Sequence, residues 1–210
     1  MKRCSLQILR DCSGNAIVEF AMVAPVMAVL LMGLGDLLYQ AYVQAILTGA
    51  VQQAGRSSGI EGGSTTSDTI DAKVVAMVSQ IVQNPSQSCN SSSSSGASGA
   101  TWCSLRENYD TFSAVAPEPF TDTNKNGARD PGECFTDMNN NGMWDADPGV
   151  SGQGGASDVA LYTMTIRYPR LFPVAGLIGL PAQATVSAAT LLKNQPYATQ
   201  ATNSTPTVCT

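Results

Sequence analysis

Two stretches of this chain carry oxygen-bearing side chains at alternate positions and then a glycine: Asp122-Thr123-Asn124-Lys125-Asn126-Gly127-Ala128-Arg129-Asp130 and Asp137-Met138-Asn139-Asn140-Asn141-Gly142-Met143-Trp144-Asp145. With the Phe-Thr pair that precedes each, they form a repeat in which Phe135–Asp145 copies Phe120–Asp130 fifteen residues on. A hard cation takes six to eight oxygen ligands, and a chain wrapped around one must turn sharply, which glycine permits. The chemistry these residues suggest is calcium binding.

In the first copy Asp122, Asn124, Asn126 and Asp130 offer side-chain oxygens, Ala128 its carbonyl, and Glu133 a bidentate carboxylate at the twelfth position. In the second, Asp137, Asn139, Asn141 and Asp145 match and Met143 gives its carbonyl, but Pro148 stands at the twelfth position and Asp147 must substitute. The second site is therefore expected to be weaker than the first, or shared with it. No helical periodicity flanks either copy, so the pair resembles the calcium loops of dockerin or thrombospondin type 3 repeats rather than a helix-framed hand. Many neutral asparagines predict the ~10⁻⁴ to 10⁻³ M affinity of extracellular modules, with calcium as a folding staple. A pair of Asn/Asp/Gly turns without metal is the alternative.

Other chemistry has little to work with. Histidine is absent, which removes the commonest general base and zinc ligand and the usual partner of a nucleophilic serine or cysteine. No enzyme is expected, and Lys73, Tyr162 and Arg167 read as surface or strand residues. A formal charge of -5 with 13% charged residues supplies no basic field for nucleic acid. Of six cysteines, Cys4 and Cys12 lie near the N-terminus, and Cys89, Cys103, Cys134 and Cys209 lie far beyond it. In an oxidising compartment those four make two disulfides in one of three pairings. Cys89 with Cys103 is preferred, because it closes the Ser-rich loop between them. Zinc is the alternative, but no pair has Cys-x-x-Cys spacing.

The elements that position these residues begin with an apolar run. Between Asn15 and Gly35 only Glu19 is ionisable, and Leu37 and Leu38 beyond Asp36 complete the ~20 residues that a helix needs to cross a bilayer. Lys2, Arg3 and Arg10 precede the run, and no base follows until Arg56. The leader is thus expected in the cytoplasm and everything after about Tyr39 is expected to be exported. A secretory signal fits poorly, because the run contains Pro25 and continues from Leu37 to Ala54 without a small-residue exit.

With 210 residues, the chain holds one membrane helix and about one further domain. The expected class is α+β. A long helix over 15–54 is apolar all round and then amphipathic through Leu37, Leu38, Val43, Ile46, Leu47 and Val51, until Gly55, Gly59, Gly62 and Gly63 break it. Ser67 opens a shorter helix with Ile70, Val74, Met77, Val78 and Ile81 on one face, ending near Asn84-Pro85. Residues 86–100 form a Ser-rich loop. Val159–Tyr168 and Ala184–Leu192 alternate as strands, with Pro169, Pro173 and Pro181 framing a turn or helical segment between them. The strands should pair in a small antiparallel sheet laid on the long helix, with the calcium-type loops of 120–148 inserted in the domain of 55–210.

The stretch Gly14-Asn15-Ala16-Ile17-Val18-Glu19-Phe20-Ala21-Met22-Val23-Ala24-Pro25 resembles the start of TadE-like pseudopilins of the tight adherence (Tad, type IVc pilus) system, relatives of type IV pilins. Ile166-Arg167-Tyr168-Pro169 and the segment from Ala189 to Tyr197 resemble the strand and closing segment of such chains, with Lys193-Asn194-Gln195-Pro196 where the family more often has Arg-Asn-Glu-Pro. The resemblance implies that prepilin peptidase cuts after Gly14, removing residues 1–14 and freeing the amine of Asn15 ahead of Glu19 and Phe20. A charge at the bilayer centre costs about 2.5 to 3.5 kcal/mol on insertion scales. Glu19 is therefore expected to meet the Asn15 amine of a neighbouring pilin or pseudopilin subunit, or else to reach the headgroups. The implied role is that of a minor pseudopilin, a membrane-anchored assembly component of a pilus used for surface adherence, either extracted into the fibre or priming it. The alternative is a calcium-binding or adhesive module tethered permanently to the membrane.

Overall fold

The computed structural model describes residues 15–58, 67–89, 99–172, 175–176, 179–195 and 205–209. The leader with Gly14, Cys4 and Cys12, the glycines at 59, 62 and 63, and most of the Ser-rich loop lie outside the described residues. Two compact units emerge, one of Met1–Tyr42 with Pro169–Ala184, the other of Val43–Tyr168 with Thr185–Thr210.

Helix α1 runs from Asn15 to Ser58, with Pro25 inside it. Its 44 residues correspond to about 66 Å of length. Ile17, Phe20, Met22, Leu30, Leu31 and Leu34 expose their side chains, and Ile17–Ser57 holds a window long and apolar enough to cross a membrane, with mean hydropathy 2.3. The buried stripe starts later than the sequence pattern suggests. Leu37 and Leu38 are 62% and 63% exposed and continue the apolar surface, whereas Val43, Leu47, Ala50, Val51 and Ala54 are buried.

Gly55 does not end the helix. A Cβ at this position would stand 2.4 Å from Thr190 Cγ2 and 2.8 Å from Leu192 Cδ1. The missing side chain is what allows the helix to lie against the strand that carries those residues, and Gln44 adds a side-chain hydrogen bond to the Ser187 carbonyl at 2.8 Å.

Helix α2 spans Ser67–Ser79, burying Ile70, Val74 and Val78 while Met77 and Ile81 sit half-buried at the edge. The strands are β1 (Ser86–Gln87), β2 (Thr101–Tyr109), β3 (Cys134–Thr136), β4 (Val150–Ser151), β5 (Val159–Pro169), β6 (Gln183–Lys193) and β7 (Thr207–Cys209). The main sheet has the order β1-β2-β5-β6, with β4 also on β2, and β3 pairs with β7 apart from it. On β5, Ala160, Tyr162, Met164, Ile166 and Tyr168 are buried, as their alternation predicts.

The sheet is mixed rather than antiparallel. β2 runs antiparallel to β5, pairing Thr101 with Arg167 through to Tyr109 with Val159, but β1 runs parallel to β2. Residues 88–100 are long enough for the crossover that a parallel pair needs. β2 itself escapes the sequence pattern, because neither Trp102-Ser104-Arg106-Asn108 nor Thr101-Cys103-Leu105-Glu107-Tyr109 forms an apolar face.

Candidate functional site

The paired loops are built as two equivalent halves. Phe120 and Phe135 meet in an antiparallel bridge, flanked by Thr121 N–H to the Cys134 carbonyl and Thr136 N–H to the Pro119 carbonyl, both 2.8 Å. Exchanging the two copies turns one bond into the other, the donor moving fifteen residues forward and the acceptor fifteen back. Within the first loop Asp122 accepts the N–H of Asn126 at 3.2 Å and of Gly127 at 2.8 Å. Within the second, Asp137 accepts those of Asn141 at 3.2 Å and Gly142 at 2.7 Å. The turns match as well, with positive φ at Lys125 and Gly127 and again at Asn140 and Gly142.

At the far side of each loop two amides converge on one carboxylate. Asn124 and Asn126 donate to Asp130 Oδ2 at 2.6 and 2.7 Å, and Asn139 donates to Asp145 Oδ2 at 2.9 Å alongside Asn141. The backbone N–H groups of Ala128 and Met143 turn to Asn126 Oδ1 and Asn141 Oδ1. Among the described residues no group of three or more His, Cys, Asp or Glu side chains is gathered to hold a metal ion; in these loops asparagines stand between the acids.

Glu133 stands at the end of the first loop. Its carboxylate accepts Thr123 N–H at 2.8 Å and Asp130 N–H at 3.0 Å, closing the first loop. Asp147 does not do the same for the second: it accepts the Tyr109 hydroxyl at 2.9 Å and Gly149 N–H at 3.1 Å, away from that loop. Glu118 takes its place, accepting Met138 N–H at 2.7 Å and Asp145 N–H at 2.9 Å. Glu118 precedes Phe120 by the same two residues as Glu133 precedes Phe135, so each loop is closed by the glutamate that opens the other copy. Both are buried, Glu118 to 1% exposure and Glu133 to 7%, and their backbone donors offset the desolvation of the charge.

The swap extends to the rings. The Arg129 guanidinium lies 5.2 Å over Phe135, and Trp144 meets Phe120 edge-on at 6.2 Å while its indole N–H donates to the Glu118 carbonyl at 2.9 Å. Reading the repeat two residues further upstream, as Glu-x-Phe-Thr-Asp, was the signal for Glu118.

The two disulfides among the described residues lie within the unit that holds the loops. Cys89 joins Cys103 and Cys134 joins Cys209, so these cysteines are not free to bind zinc. The second bond ties β7 to β3, and Asp137 N–H reaches the Pro206 carbonyl at 2.9 Å.

A buried ionic centre lies where the sequence signals none. Asp71 of α2, 4% exposed, accepts from Arg106 Nη2 at 2.6 Å and Nη1 at 3.1 Å, from Ser104 Oγ at 2.6 Å and from the Tyr162 hydroxyl at 2.6 Å. Arg106 also stacks 4.6 Å over the Tyr162 ring. Burial, then the hydrogen bond to Asp71, pushes the Tyr162 phenol well above its ordinary range, with Arg106 opposing. In the closing segment Asn194, also buried, donates its amide to the carbonyls of Gln153 at 2.8 Å and Gly155 at 2.9 Å. This fixes the 153–158 turn without any charge.

Glu19 and Phe20 lie exposed on the first turns of α1, and Asn15 opens that helix; Gly14 lies outside the described residues. One helix is long and apolar enough to cross a membrane, and a disulfide-tied α+β unit follows it in the chain, an arrangement that suits a membrane-anchored protein. Residues 14–56 match the model of the TadE-like protein family, and over this segment the chain is similar to that family. The match ends within α1, short of Ile166–Pro169 and of the closing segment. Comparison with curated proteins and with solved structures finds no match.

Proposed function

We propose that this chain is a minor pseudopilin, cut after Gly14 by prepilin peptidase, anchored in the inner membrane by α1 with its folded unit in the periplasm, and assembled with other pilin or pseudopilin subunits into a Tad-type adherence pilus. The observation that carries the reading is the TadE-like match over 14–56, falling on a helix with an exposed apolar surface. Sequencing the N-terminus of the membrane-extracted chain tests it. Asn15 as first residue is the expected result; an intact Met1 in adherent cells supports the permanent tether instead.

The paired loops are proposed to take calcium as a folding staple. The donor set suits a hard cation: an asparagine amide turned over presents oxygen where it now presents N–H. Asp122, Asn124, Asn126, Ala128, Asp130 and Glu133 would hold one ion. Asp137, Asn139, Asn141, Met143 and Asp145 would hold the other, with Glu118 in the role first given to Asp147. The ion supplies charge neutralisation among carboxylates, and no reaction step.

With calcium at a hundredfold excess over Kd, the stabilisation is about 2.7 kcal/mol, which raises Tm by roughly 5 to 10 °C for a chain of this size. Full-length Trp102→Phe protein in detergent leaves Trp144 as the emission reporter. If calcium changes neither its emission nor Tm, the staple reading fails.

A further inference from the structure

The connection from β5 to β6 reads Arg170-Leu171-Phe172-Pro173-Val174-Ala175-Gly176-Leu177-Ile178-Gly179-Leu180-Pro181-Ala182, with one charged residue. It belongs to the same compact unit as the apolar part of α1. Arg170 fastens it: its guanidinium pairs with Asp36 of α1 and donates to the Pro181 carbonyl at 3.0 Å, while its backbone N–H reaches the Ala182 carbonyl at 3.0 Å. The Phe172 ring lies where a Cβ on Gly35 would come within 3.2 Å. A pocket of about 140 Å³ opens between Gly33 and Leu37 of the helix and Phe172, Ala175 and Leu180 of the loop. Leu171 and Leu180 remain 55% and 46% exposed.

We propose that the ends of this connection, 170–172 and 179–182, form a membrane collar, seated in the bilayer interface at the end of the span opposite Glu19, with lipid as its occupant. Three observations converge. Glu19 and Asp36 are separated by seventeen helical residues, about 26 Å, close to the ~30 Å of a hydrocarbon core. With Glu19 at one boundary, Asp36 and the loop reach the other. The exposed Leu180 lines the same pocket as the exposed Leu37 of the span, so apolar surface continues from helix to loop there, and a patch of this kind marks an interaction surface. Asp36, buried although it borders the apolar run, meets its counter-charge within the same unit, as an acid at this depth requires.

The inference requires α1 to span the membrane but not cleavage at Gly14, so it fails independently of the pseudopilin reading. The test uses the full chain in phosphatidylglycerol/phosphatidylcholine vesicles carrying acyl chains brominated near the headgroup. Leu180→Trp and Leu171→Trp are compared with Phe112→Trp, an exposed reference in the other unit. The emission added by either loop variant is expected to be blue-shifted and quenched by bromolipid severalfold more than that of the reference. Equal quenching overturns the collar. Shielding from aqueous iodide without bromolipid quenching also overturns it, and assigns the loop to another protein subunit. Two loop positions guard against one variant failing to fold, which unchanged Tm verifies.

Discussion

Asp71→Ala is expected to destabilise the unit that contains α2 and the sheet by about 3 to 5 kcal/mol, the usual loss when one member of a buried ion pair is removed. The substitution strips an acceptor from three side chains at once: Arg106, Ser104 and the Tyr162 hydroxyl all donate to this carboxylate. Arg106 is only 13% exposed and cannot rehydrate without opening α2 from β2 and β5. Urea unfolding of the full chain in detergent should show a lower midpoint at unchanged slope. Asp71→Leu combined with Arg106→Met should recover much of the loss, since no charge is then stranded. A fall below ~1 kcal/mol for Asp71→Ala would place the pair among exposed salt bridges of small worth, against its burial.

The second large effect concerns assembly. Glu19→Ala is expected to leave cleavage after Gly14 intact and to abolish incorporation into pili, because the carboxylate is proposed to meet the Asn15 amine of an adjoining subunit in a medium where a lone charge is costly. The mature mass in the membrane fraction reports cleavage, and chain recovered with sheared fibres reports incorporation. Wild-type recovery of the mutant would remove the pairing idea. Loss of the mature mass would instead make Glu19 part of what the peptidase reads.

Much of the architecture was legible because single-face periodicity announces it. The alternation through Ala160, Tyr162, Met164, Ile166 and Tyr168 gave β5, and Ile70, Val74 and Val78 gave α2. Where the pattern failed, a polar group was buried against a specific partner. β2 hides because Ser104 and Arg106 turn inward to Asp71, a match between distant residues that no local window contains. Gly55 reads as a helix breaker until its neighbours Thr190 and Leu192 are known. Leu37 and Leu38 look like the start of a buried stripe, since hydrophobicity alone does not distinguish a lipid-type surface from a core. In the loops, counting along the first copy found Glu133, but the same count in the second reached Pro148. The carboxylate that closes that loop arrives from upstream, so only internal symmetry reveals Glu118.

That exchange of glutamates also bears on how such a module can be inherited. Neither fifteen-residue copy is self-sufficient: excising Glu118–Gly132 would leave its sibling unclosed, and excising Glu133–Asp147 would do the same in reverse. The smallest portable piece is the duplicated pair, so shuffling between surface proteins must move both copies together or lose both.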